Sequence, residues 1–210
     1  MEDKGFQWVK VSILEVTERC ISMSTKRQNL VDAAIKLFSA HGYHGTGIDR
    51  IAEEARVSKK TMYHHFRSKE ELILAALRHH DGRFRNQFMK AVDNSGETAY
   101  DRLLAIFDVA HAWFSDNKFY GCMFINAIGE YSEPDSAIRE VCKEYKRLTL
   151  SYIEELTEAA NIPDAHAVAT TIAILLEGSI VTAQVAGTPN AAETAKMATK
   201  VILDNALSGS

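Results

Sequence analysis

Residues 58–72, SKKTMYHHFRSKEEL, crowd lysines, a tyrosine and a histidine pair into a segment too short to fold alone. Such side chains could ligate a metal, move a proton, or donate hydrogen bonds to a polyanion. Spacing argues against a metal. His64–His65 and His79–His80 are adjacent pairs, about 100° apart around a helix, so neither aims two rings at one ion. No metal and no other cofactor is expected. A catalytic reading lacks its other groups: there is no nucleophile elbow, no H-E-x-x-H, and no glycine loop ending in G-K-[ST]. The chain is expected not to be an enzyme, which leaves contact with a polyanion.

Charge distribution points the same way. Residues 24–68 carry a balance of +4 and residues 69–210 one of −7, beneath an overall pI of about 6.1. A basic module joined to an acidic body suits a nucleic-acid partner at one end only. The three cysteines, Cys20, Cys122 and Cys142, show no C-x-x-C spacing, which fits a reducing compartment. No segment is expected to span a membrane, because the best candidate, TIAILLEGSIVTAQVAG, is cut by Glu177, and the N-terminus lacks a signal pattern. A cytoplasmic location is expected.

The elements that must hold the segment are legible in the punctuation. Proline is scarce (3) and glycine modest (11), so an all-α fold of about nine helices is expected. Residues 1–23 read as a poorly structured extension, with a dimer-embracing arm as the alternative. Thr25 with Gln28 resembles a capping box, and Gly42 supplies a stop. Thr46 is expected to cap a short helix over GIDRIAEEA, and Ser58 another over KKTMYHHF, with Met62 and Phe66 inward. Ser68 with Glu71 opens a long helix. Pro134, Pro163 and Pro189 are expected to open later ones. The domains are then 24–68, a helix-turn-helix unit, and 69–210, a larger helical unit.

In such a unit the second short helix enters the major groove by its N-terminal end. Lys59 and Lys60 can reach guanine acceptors or phosphates there, and Thr61 a base edge or thymine methyl. Tyr63, His64 and Lys69 offer donors for phosphates.

The run AAIKLFSAHGY, followed by T-x-I-x-x-IA-x-EA, VS, YHHF and SKEEL, resembles the DNA-binding domain of the TetR/AcrR family of bacterial transcriptional regulators. The match covers about fifty residues in order; the C-terminal part is only generically similar. The resemblance implies base reading by Lys59, Lys60 and Thr61, and phosphate contacts from Thr46, Tyr63, His64, His65 and Lys69. Two departures stand out. Arg56 replaces the usual glycine of the turn, which predicts a left-handed residue bearing a Cβ. Lys60 is bulkier than the small residue common there.

The resemblance further implies a homodimer on a pseudo-palindromic operator in double-stranded DNA, built from the last two helices. Thr171, Ile174, Leu175, Gly178, Val181 and Val185 on one, and Ala198, Val201 and Ile202 on the other, suit close packing, with Ala167, Ile180, Ala195 and Leu203 beside them. A small hydrophobic or aromatic effector would bind among Phe107, His111, Trp113, Phe114, Met123, Phe124, Tyr131 and Tyr145, releasing a repressor. Glu177 is either a buried charge awaiting a cationic ligand or an exposed edge beside the dimer seam. The alternatives to this function are a redox-sensing regulator acting through Cys122 and a DNA-organising protein without a ligand.

Overall fold

The computed structural model describes residues 25–208; the expected extension over residues 1–23 lies outside them. Among the described residues there are nine helices and no strand: α1 over 25–41, α2 Ile48–Glu54, α3 Lys59–His65, α4 Lys69–Ser95, α5 Ala99–Phe114, α6 Met123–Glu130, α7 Ala137–Ala159, α8 Ala165–Ala186 and α9 Asn190–Ser208. The chain divides into two compact units, one ending at Ala76 and the other beginning at Leu77. The division falls inside α4, whose first turns bury Leu72, Ile73 and Ala76.

The first unit is built on local rules. Leu30, Ala34, Leu37 and Phe38 repeat at helical spacing along α1 and are all buried, with the Phe38 and Tyr43 rings 4.9 Å apart. Gly42, at φ 75°, ends α1 and donates its amide to the Phe38 carbonyl at 2.9 Å. A Cβ on Gly45 would lie 2.5 Å from the His41 carbonyl oxygen, so the following loop accepts only glycine there without moving. Ser58 caps α3 as expected, accepting from the Thr61 amide at 3.1 Å. At α4 the Ser68 hydroxyl accepts from Glu71 N, while the Glu71 carboxylate turns back to Arg67 N at 2.7 Å. The capping box is thus displaced by one residue on its return arm.

The second unit packs α5, α7, α8 and α9 against one another, with α6 laid on α7. A capping box starts α5: Thr98 Oγ1 accepts from Asp101 N at 3.1 Å and Asp101 Oδ2 from Thr98 N at 3.2 Å. Polar ties fix α9 on α5, with Lys196 Nζ 2.6 Å from Asp108 Oδ1 and the Tyr100 hydroxyl donating to Asp204 at 2.6 Å.

Two expected helix starts are corrected. Ser136, not Pro134, caps α7, accepting from Arg139 N at 3.2 Å. Pro163 precedes the α8 cap, Asp164, which is left-handed at φ 54°. The expectation of no membrane span turns on α8. By length and composition α8 is the one helix among the described residues that could cross a membrane. It buries Ala169, Ile172, Leu176, Ile180 and Ala183 against neighbouring helices, however, and pairs Glu177 with Lys146 on α7. That is the pattern of a core helix with one open side.

Candidate nucleic-acid interface and effector cavity

The turn between α2 and α3 fixes how the second helix is presented. Arg56 N donates to Glu53 O and Val57 N to Ala52 O, both at 2.9 Å, a Schellman closure with Arg56 at the left-handed position, φ 55°. The same closure ends α7, where Asn161 takes that position at φ 54°. Asparagine tolerates this conformation better than arginine, so α2 ends under local strain of about 1–2 kcal/mol.

On α3, Met62 and the following Phe66 point inward and are fully buried, and Arg27 lies 4.9 Å above the Phe66 ring. The opposite side is left open. Lys59, Lys60, Tyr63 and His64 are exposed, while Thr61, His65 and Lys69 are half-buried. Lys59 Nζ sits 2.8 Å from Asp49 Oδ1 on α2, and this carboxylate raises the affinity of the ammonium for its proton. The Thr61 hydroxyl is within 2.9 Å of Ser58 Oγ. Lys60 has no ion-pair partner among the described residues, which leaves its charge available to an external acceptor. His65 stands apart: burial, then the neighbouring His64, Arg27 and Lys26, lower its proton affinity. A neutral imidazole there can donate through one nitrogen but brings no charge to a phosphate.

Thr46 does not sit with the others. Its side chain is fully buried, and its hydroxyl lies 2.7 Å from the Gly42 carbonyl and 3.2 Å from that of Leu37. With both acceptors inside, the hydroxyl closes the α1–α2 loop instead of facing outward. Nor does Thr46 cap α2; the cap is Gly47, with no side-chain bond.

The second unit holds a cavity of about 30 Å³, room for one water-sized molecule. Its walls come from Phe84, Arg85, Phe88 and Met89 of α4, Ile106 and Trp113 of α5, Tyr145, Thr149, Tyr152 and Ile153 of α7, and Leu176, Glu177 and Ile180 of α8. Of the aromatic and sulfur residues expected to line an effector pocket, the cavity brings in Trp113 and Tyr145. Phe107, Phe114, Met123 and Phe124 are buried core, Phe124 stacked on Tyr145 at 3.8 Å between centroids. His111 lies near Glu193, at 3.5 Å, and Tyr131 ends α6; neither reaches the cavity. The α4 contribution went unread in the sequence. Its signal was present as Phe84 and Phe88, one turn apart in RFRNQF, with Trp113 meeting the first ring at 4.7 Å.

Glu177 faces this cavity, paired with Lys146, and is not a free edge beside a seam. Cys122 is buried at the start of α6, and burial pushes its thiol up, away from the reactive thiolate. On the outer side of α8 and α9, Ile174 is 65% exposed, Val185 83%, Met197 64% and Val201 59%. Thr171, Gly178 and Val181 share that side, and Leu175, Ala198 and Ile202 lie half-buried at its margin. Ile180, Ala195 and Leu203 belong to the internal core instead.

A helix-turn-helix unit with an open cationic face, followed by an all-α unit with an aromatic cavity, defines the class of helix-turn-helix transcriptional regulators. Known proteins narrow it further. Residues 30–76 match the model of bacterial regulatory proteins of the tetR family, and residues 99–199 that of the tetracyclin repressor-like C-terminal domain. The HTH-type transcriptional regulator YjdC of Escherichia coli K12 is 25% identical over 158 residues, 74% of this chain and 81% of that one. The HTH-type transcriptional activator FasR of Mycolicibacterium smegmatis is 49% identical over 55 residues, 26% of this chain and 25% of that one. The structure of SCO4454, a TetR-family regulator from Streptomyces coelicolor, superposes with a TM-score of 0.80 at 28% identity, covering 87% of this chain and 96% of that one. The chain belongs to the TetR family of bacterial transcriptional regulators.

Proposed function

We propose that the protein is a cytoplasmic homodimer that represses transcription from a pseudo-palindromic operator and is released by a small hydrophobic or aromatic effector. In this reading Lys59, Lys60 and Thr61 read bases, while Tyr63, His64, His65 and Lys69 hold phosphates. The apolar outer side of α8 and α9 meets its two-fold copy, which sets two recognition helices in successive major grooves.

The observation that carries the regulatory part is the course of α4. It opens at Lys69 in the DNA-contacting unit and ends as a cavity wall bearing Phe84, Arg85, Phe88 and Met89. Ligand pockets usually measure roughly 300–1,000 Å³, far above the 30 Å³ seen here. A ligand must therefore displace cavity walls, and α4 carries that displacement towards the DNA-contacting unit. Release then follows from the ligand's greater affinity for the widened state; a near-complete switch needs a ratio of about 10⁴.

The test is selection of bound duplexes from a random pool at near-physiological salt, repeated with candidate effectors. The expected result is an enriched palindrome lost on effector addition. A palindrome whose retention no effector changes would leave a DNA-organising protein, and no enrichment would remove sequence-specific recognition. Transcription of a reporter behind the selected operator should rise when the protein is deleted; a fall would make it an activator.

A further inference from the structure

The proposed release mechanism leaves the chemistry of the effector open, and the cavity's two ionic groups differ in what they can still bind. Glu177 is matched by Lys146, whose ammonium nitrogen is buried and also lies 5.3 Å from the centroid of the Tyr145 ring. A cationic ligand taking Glu177 for itself would strand that ammonium, an expensive arrangement away from water. Arg85 is matched differently. Its Nε lies 2.8 Å from Asp81 Oδ1 one turn earlier on α4 and Glu144 of α7 feels its charge, but its two terminal nitrogens have no hydrogen-bond partner among the described residues. A guanidinium held by one edge can offer the other to a carboxylate, forming paired hydrogen bonds without breaking the first contact. Around it stand the rings of Phe84, Phe88, Trp113 and Tyr152, flat apolar surfaces suited to an aromatic body.

We infer that the effector is an aromatic carboxylate, its ring held among Phe84, Phe88 and Trp113 and its carboxylate on the free edge of Arg85. This rests on the effector site proposed above. Arg85 is a specificity determinant in this scheme. It rejects aromatic amines by charge and neutral aromatics by leaving its donors unanswered.

Trp113 reports on binding, because it lines the cavity and the only other tryptophan is Trp8. In full-length protein carrying Trp8→Phe, fluorescence titrations use 2-naphthoate, neutral 2-naphthamide and cationic 2-naphthylmethylamine as probes. The expected result is at least tenfold tighter binding of naphthoate than of the other two. Arg85→Gln should erase that preference by weakening naphthoate at least tenfold, and naphthamide binding no weaker than to wild type shows that the variant cavity is folded. Tighter binding of the amine, undiminished naphthoate binding by Arg85→Gln, or binding of none of the three would overturn the inference. Operator affinity measured with saturating naphthoate separates the two proposals. Arg85-dependent naphthoate binding that leaves DNA affinity unchanged would support the carboxylate site and overturn release by the effector.

Discussion

Lys60 and Lys69 are both cations of the DNA-contacting unit, but they stand at different places in the chain's local geometry. Lys60 is in the first turn of α3, on the open side opposite the buried Met62, where in the proposed complex a side chain enters a groove. Lys69 opens α4, where amide ends attract phosphate. Lys60→Ala should cost about 1–3 kcal/mol at one base position and little on sequences already changed there. Lys69→Ala should weaken binding to every sequence alike and lower the salt slope by about 1. Competition titrations over a set of operator variants at several salt concentrations distinguish the two, and a uniform loss from both would make Lys60 a phosphate contact only. Arg56 bears on stability rather than recognition. Arg56→Gly removes a Cβ from a left-handed position and should stabilise the first unit by about 1 kcal/mol, read as a higher denaturation midpoint. An unchanged or lower midpoint would mean that contacts of the arginine side chain outweigh the backbone strain.

At the scale of elements, Thr46 shows what local patterning could and could not convey. A threonine ahead of an apolar-periodic run reads as a helix cap, and the family resemblance makes it a phosphate contact. Its hydroxyl is instead taken by carbonyls behind it, a partner choice set by how the α1–α2 loop closes. Thr46→Val, nearly isosteric, should lower stability by about 1–2 kcal/mol by leaving the Gly42 carbonyl short of a donor, while DNA affinity at full folding stays near wild type. A large affinity loss in a fully folded variant would return Thr46 to the interface. The helices were legible wherever a capping serine met a clear apolar stripe, as at Ser58 and Ser68. The start of α7 was misread because Pro134 and Ser136 both suit a helix start and only the fold decides between them. The cavity was read least well. Lining and core residues are both aromatic, so Phe107 and Phe124 could not be told from Trp113 and Tyr145 before packing was known. His80, on α4, has a consequence of its own. Its ring is stacked at 5.3 Å on Phe84 and lies 5.9 Å from Phe124, and burial pushes its imidazole down to about 4, with Asp81 opposing. The unfolded chain takes up that proton near pH 6.5, so the contribution is intact above 6.5 and falls away as pH drops towards 4. The loss should be about 2 kcal/mol, since the ring is not wholly enclosed. Urea titrations at pH 7 and 4.5 should show a smaller drop for His80→Phe than for wild type; equal drops would mean that His80 is freely solvated.

At the scale of the whole molecule, the exposed side of α8 and α9 decides whether one chain can act alone. Ile174, Gly178, Val181 and Val185 recur at helical spacing on one side of α8, alongside Met197 and Val201 of α9, and together they leave an apolar stripe in water. In the proposed homodimer, pairing with a two-fold copy removes this stripe from solvent, and a specific stable interface needs about 1,200–2,000 Å² in total. Ile174→Glu places a carboxylate in the stripe without touching the internal core, since Ile174 is 65% exposed in the single chain. Each subunit should therefore keep its helix content and melting behaviour at low concentration. A charge facing an apolar partner surface should cost about 3 kcal/mol of association, a rise in dimer Kd of about a hundredfold. Sedimentation equilibrium measures this directly. Operator binding should then become steeply dependent on protein concentration, because a monomer would occupy only one half-site of the proposed pseudo-palindrome. A variant that remains a dimer at wild-type concentrations, or that binds the full operator undiminished, would move the subunit interface off α8.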